Sequence, residues 1–106
     1  MFSRSVSMRL KPDNVAELTR TLENEIIPLL RKQKGFEDEI TLVAPGGLEA
    51  IGISFWDQKE NAEAYSRTTY PEVQKSLAKV TEGTPQVQNY EVSNSTFHKI
   101  AARVAA

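Results

Sequence analysis

The chain has 106 residues, 40% hydrophobic and 25% charged, which bounds it to a single globular domain. Its formal net charge of −1 gives no reason to expect nucleic acid or an anionic membrane as a partner. The lack of cysteine excludes disulfides, thiolate nucleophiles and cysteine-held metals and fits a cytoplasmic location. No apolar run approaches the ~20 residues of a membrane span, and the N-terminus lacks the apolar core of a secretory signal.

Phe2 to Leu10 alternates, with Phe2, Arg4, Val6, Met8 and Leu10 on one face and Ser3, Ser5, Ser7 and Arg9 on the other, which predicts a strand. Lys11-Pro12-Asp13-Asn14 stops it and opens a helix, since proline suits a helix entry and Asp or Asn can cap one. Val15, Leu18, Leu22, Ile26 and Leu29 then mark one helical face. Pro28 interrupts that pattern and predicts a kink, because it cannot donate to the carbonyl of Asn24. Arg31, Lys32 and Lys34 suit the negative end of the helix dipole, and Gly35 suits the left-handed position that ends it.

A second strand is expected over Phe36 to Val43, with Phe36, Ile40 and Leu42 on one face. Ala44-Pro45-Gly46-Gly47 turns the chain into Ala50 to Trp56, which carries no charge on either face. Such a strand is expected inside a sheet and covered on both sides. Asp57 is expected to cap the next helix with Glu60 reaching back, and Ala62 and Tyr65 to face inward. Thr68-Thr69-Tyr70-Pro71 breaks that helix, and Val73, Leu77 and Val80 pattern another, ended by Gly83, Thr84 and Pro85. Val87 to Val92 reads as the fourth strand.

This order, βαββαβ, predicts an α+β ferredoxin-like fold with a four-stranded antiparallel sheet and helices on one face. The other face then needs a cover, and a second copy of the chain is the simplest one. The tail carries Phe97 and Ile100, large apolar residues that free tails seldom leave exposed. Residues 1–94 are thus expected to form the domain and residues 95–106 a tail packing on the partner subunit.

The chain also resembles the antibiotic biosynthesis monooxygenase-like domains of the dimeric α+β barrel superfamily. The resemblance is carried by Lys11-Pro12, by Pro28-Leu29-Leu30-Arg31-Lys32-Gln33 followed by Gly35-Phe36, by Ser54-Phe55-Trp56-Asp57 and by Glu63-Ala64-Tyr65. It spans residues 2–92 and implies a homodimer whose two sheets form a barrel, with a pocket in each subunit between sheet and helices. The superfamily includes cofactor-free oxygenases of polyketide anthrones and quinols, haem-degrading enzymes and small isomerases. The haem-degrading branch uses an Asn, a Trp and a His where this chain has Ser5, Tyr65 and Gln74, so haem is not an expected ligand.

Within such a pocket Trp56 and Tyr65 are the catalytic candidates, and Arg4, Ser5, Ser54, Tyr70 and Gln74 the substrate-binding ones. Each has a plainer alternative. Trp56 stacks on a planar substrate or, the preferred reading, plugs the end of the core. Tyr65 and Tyr70 orient a phenolic substrate or are half-buried tyrosines with wet hydroxyls. Arg4 binds an anion or pairs with Glu91 or Glu39, the pair being favoured. Ser3, Ser5 and Ser7 on one strand and Gly52 and Ser54 on the other leave room for a ligand if these small faces coincide. His98 stands alone and predicts no metal site. The sequence thus supports two functions. One is a cofactor-free monooxygenase acting on a small aromatic or quinol-type substrate. The other is a non-catalytic dimeric domain binding a small hydrophobic molecule.

Overall fold

The computed structural model describes residues 1–97. The elements follow as β1 (Phe2–Leu10), α1 (Val15–Thr21), a π-helical turn (Leu22–Ile26), α2 (Ile27–Arg31), β2 (Phe36–Val43), β3 (Glu49–Trp56), α3 (Lys59–Thr68), α4 (Tyr70–Leu77) and β4 (Thr81–Glu91). The strands form one antiparallel sheet in the order β2-β3-β1-β4, the ferredoxin-like arrangement expected, with β3 and β1 inside.

Register decides which face each side chain takes. Val6 stands opposite Gly52, Arg4 opposite Ser54 and Phe2 opposite Trp56. The even-numbered residues of β1 and β3 therefore share the helix-covered face. Phe2, Val6, Met8 and Leu10 all join the core with Ala50 and Trp56, packed against Leu18, Ile26, Leu30, Val73 and Leu77 from the helices. Ile51, Ile53 and Phe55 point the other way, alongside Ser3, Ser5 and Ser7. The two small faces do not coincide: the serines of β1 lie across the sheet from Gly52 and Ser54.

In β2 a bulge between Phe36 and Asp38 shifts the parity. Phe36 pairs with Trp56 and its ring meets the indole edge-on at 5.7 Å, whereas Ile40 and Leu42 take the open face instead of sharing Phe36's side. That open face is built from Ile40, Leu42, Ile51, Ile53 and Phe55. Ile51 and Leu42 are 38% and 49% exposed, large values for apolar residues in a sheet whose other face is covered by helices.

The first helical region absorbs Pro28 through a π turn, in which the Ile27 N–H donates to the carbonyl of Leu22 five residues back. Leu22 and Ile26 from this turn project onto the covered face of the sheet. Gly35 takes the left-handed conformation expected of it, φ +81°.

Three local expectations are corrected. Asp57 does not cap α3: Gln58 is the N-cap residue, and Asp57 accepts a hydrogen bond from Asn61 Nδ2 at 2.8 Å. Asn14 sits at the start of α1 without a side-chain cap bond, its amide donating to Pro12 O instead. Gly83, Thr84 and Pro85 do not end a helix but lie within β4, which begins at Thr81. Two extra residues of β4 are taken up between the pairs Ser7–Gln86 and Arg9–Glu82, where Gly83 adopts φ +70°.

Candidate functional site

The helix-covered face is not filled to its limit. A cavity of about 50 Å³ lies between the middle of the sheet and the helices. Small side chains on the sheet make it: Gly52 has no Cβ, and Ser54 beside it is short. On the helix side Leu22, Ile26, Val73 and Leu77 close it with aliphatic groups. A water needs roughly 10–15 Å³ of such volume to fit and takes up about 30 Å³ in the liquid, so the cavity has room for water but not for many molecules of it. A benzene ring fills a cavity of about 150 Å³, so an aromatic ring enters only when side chains of the wall move.

Five polar residues border this space: Arg4, Glu39, Ser54, Tyr65 and Tyr70. Glu39, Ser54 and Arg4 form one row across β2, β3 and β1, each opposite the next. The break between α3 and α4 brings in the tyrosines. Tyr65 sits near the end of α3 and Tyr70 begins α4, so one helical break aims two rings at the same patch of sheet.

Arg4 is 3% exposed, and its guanidinium lies 3.9 Å from the centre of the Tyr70 ring and 5.4 Å from that of Tyr65. No carboxylate among the described residues comes within 4.0 Å of it. The favoured ion pair with Glu91 or Glu39 is therefore not formed; the cation is held by aromatic faces instead. The Tyr70 hydroxyl is buried and has no hydrogen-bond partner among the described residues.

Burial pushes the Tyr65 hydroxyl up to about 12; Arg4 works against this, and Tyr70 and Glu39 add to it. Tyr65 is thus a proton donor in hydrogen bonds at any neutral pH. Burial also raises the Glu39 carboxyl above its ordinary 4.5, partly offset by the hydrogen bond it accepts from the Thr41 hydroxyl. A carboxylate moved toward neutrality beside an apolar cavity is a candidate base, and sequence reasoning missed it in that role. Alternation across the β2 bulge was the only signal for its inward direction, and the bulge hides that signal.

Trp56 is fully buried, and its indole N–H donates to Ser54 Oγ at 2.9 Å. Its ring packs on Tyr65 at 5.1 Å, but it is not part of the cavity wall. It supports Tyr65 from behind, in agreement with the packing reading. Ser5 pairs with Ile53 and Gln88 on the open face, away from the cavity. Gln74 is on the outer surface of α4, beside a groove with Pro71, Thr81 and Pro85. The structure thus brings together Arg4, Ser54, Tyr65 and Tyr70 of the sequence candidates, adds Glu39, and separates Trp56, Ser5 and Gln74 from the cavity. His98 and Ile100 lie outside the described residues. Among the described residues no three His, Cys, Asp or Glu side chains group to hold a metal ion.

The sequence matches no family model, and no curated protein matches it. Solved structures do. A monooxygenase of Streptomyces coelicolor, in complex with nanaomycin D, superposes with a TM-score of 0.76 at 13% identity, over 91% of this chain and 90% of that one. The folds are the same. A Bordetella bronchiseptica protein provisionally named an antibiotic biosynthesis monooxygenase gives 0.73 at 14% identity, over 86% of this chain and 95% of its own. A Nitrosomonas europaea protein of unknown function gives 0.72 at 14% identity, over 91% and 92%. The resemblance to antibiotic biosynthesis monooxygenase-like proteins therefore holds at the level of the fold. That fold leaves activity to be argued from the cavity's own residues.

Proposed function

We propose that this chain is a monooxygenase-like enzyme that needs no bound cofactor and acts on a small aromatic or quinol-type substrate, with Glu39 as the proton acceptor. The observation that carries the reading is Glu39: a half-buried carboxylate of raised pKa, at the wall of an apolar cavity that also holds two tyrosines and a cation. The S. coelicolor neighbour, solved with nanaomycin D, supports a small-molecule role for a pocket of this fold.

In the proposed reaction Glu39 removes a proton from a carbon acidified by an adjacent conjugated carbonyl. The resulting carbanion passes one electron to dioxygen, and the two radicals combine to a peroxide. The peroxide takes up a proton and then loses water, so that two hydrogens leave the substrate, one oxygen atom becomes its new carbonyl and the other becomes water. The protein contributes a dry site, a base and orientation. Tyr65, protonated throughout, is a donor for the substrate carbonyl. Ring entry requires side chains of the wall to move.

We propose further that the chain is a homodimer; the open sheet face supports this, since the faces of two copies would cover Ile40, Leu42 and Ile51. The volume of about 50 Å³ favours the other reading, a domain that binds a small hydrophobic molecule without turnover. Oxygen uptake with a panel of anthrones and quinols separates the two. Uptake that is lost in Glu39→Gln supports the enzyme; binding without uptake supports the binding domain.

A further inference from the structure

Arg4 presents an energetic problem that the fold alone does not resolve. Arginine stays protonated at every accessible pH. A buried charge is normally matched by an opposite one, because desolvation costs several kcal/mol per ion. Here Arg4 is 3% exposed, its guanidinium rests on two tyrosine rings, and no carboxylate among the described residues lies within 4.0 Å of it. Glu39, on the same row of the sheet, is two strands away and turned to Thr41. A second buried polar group in the same wall, the Tyr70 hydroxyl, lacks a hydrogen-bond partner among the described residues. These two donors border a cavity whose other lining is aliphatic apart from Glu39, Ser54 and Tyr65.

From this we infer that the cavity is an anion site: its ligand is a small monoanion with an apolar body, whose charged oxygen rests on Arg4 and accepts a hydrogen bond from Tyr70. The charge-assisted bond gives the ligand its orientation, and the aliphatic wall takes its body. A carboxylate and a phenolate or enolate share this chemistry. A dianion or a phosphate does not fit it, because one cation offsets one charge and the Glu39 carboxylate in the same wall disfavours a second. The inference uses the cavity of the proposed reaction but not the reaction itself, and ligand binding without oxygen uptake would leave it intact while ending the enzymatic reading.

The test is calorimetry on the full chain with matched pairs: isobutyrate against isobutyramide, benzoate against benzamide, and 4-nitrophenolate against 4-nitroaniline. Each acid and its neutral partner have nearly the same shape, so the ratio of their affinities reads the charge. In wild type the anion of at least one pair should bind about tenfold or more tightly than its neutral partner, and should raise the melting temperature. The pair that responds identifies whether carboxylate or phenolate is the source. Arg4→Met should bring that ratio close to one, and Tyr70→Phe should lower it while leaving a preference for the anion. Equal affinity for charged and neutral partners in wild type, or no binding of any anion, would overturn the inference without recourse to a variant. So would a preference that survives in folded Arg4→Met.

Discussion

Trp56 and Tyr65 are neighbours with different duties. The indole is fully enclosed, bonded to Ser54 and packed between Phe36 and Tyr65. Trp56→Ala leaves a large void and should cost about 3–5 kcal/mol, measured by urea unfolding. Tyr65 holds its proton more tightly folded than unfolded, its pKa rising from 10.0 to about 12. Its contribution is therefore whole below pH 10 and is lost as pH climbs from about 10 to about 12. Tyr65→Phe should remove that alkaline loss, so that its unfolding midpoint falls less steeply with pH over this window than wild type. Of the site, the aromatic pair at the helix break and the lone cation on an apolar strand face were legible, because breaks and misplaced charges stand out in sequence. Glu39 was not: one carboxylate among fourteen acidic residues has nothing to mark it until the fold buries it. Ser5 was misread because alternation gives two faces without saying which one the helices cover.

Element boundaries were legible wherever glycine and proline marked them, and wrong where those residues act inside an element. Pro28 and Gly35 behaved as turn chemistry requires, whereas Gly83 and Pro85 sit in a strand irregularity that looks, in sequence, like a helix end. Gly35 is the most constrained of these. A Cβ built there would stand 2.2 Å from Asp57 Oδ1 and 2.5 Å from Asn61 Nδ2, at φ +81°. Gly35→Ala should destabilise by roughly 1–3 kcal/mol, since both the conformation and the α3 entrance resist it. Gly46→Ala is the control: its Cβ meets nothing within 4 Å, and its melting temperature should match wild type closely. Equal effects from the two would mean that the β2 entrance tolerates movement the packing does not suggest.

Across the whole molecule, the sheet has one finished face and one unfinished face. The order of strands was legible because the uncharged β3 segment had to be interior. The composition of the open face was not, because the β2 bulge moved Ile40 and Leu42 onto it. If two copies meet there, Ile51→Lys should raise the dimer dissociation constant by an order of magnitude or more, as read by light scattering over a dilution series. Phe97 bears on the same surface, its ring 6.2 Å from Phe55 of its own sheet. Removing residues 95–106 should also weaken the dimer; a truncated chain that assembles and melts like wild type would make the tail a loose appendage.

Glu39 as a working base beside the cavity is tested most directly by the pH dependence of oxygen consumption. Oxygen consumption should be followed with the most reactive quinol or anthrone from pH 4 to 8, in wild type and in Glu39→Gln. Because the carboxyl is raised above 4.5, wild-type kcat/KM should climb with pH through an inflection above that value, as the carboxylate form appears. Glu39→Gln should lose that inflection together with about 10²–10⁴ of the rate, the usual contribution of a general base, while keeping its melting temperature. A folded Glu39→Gln that consumes oxygen at the wild-type rate with the same pH profile would contradict the account.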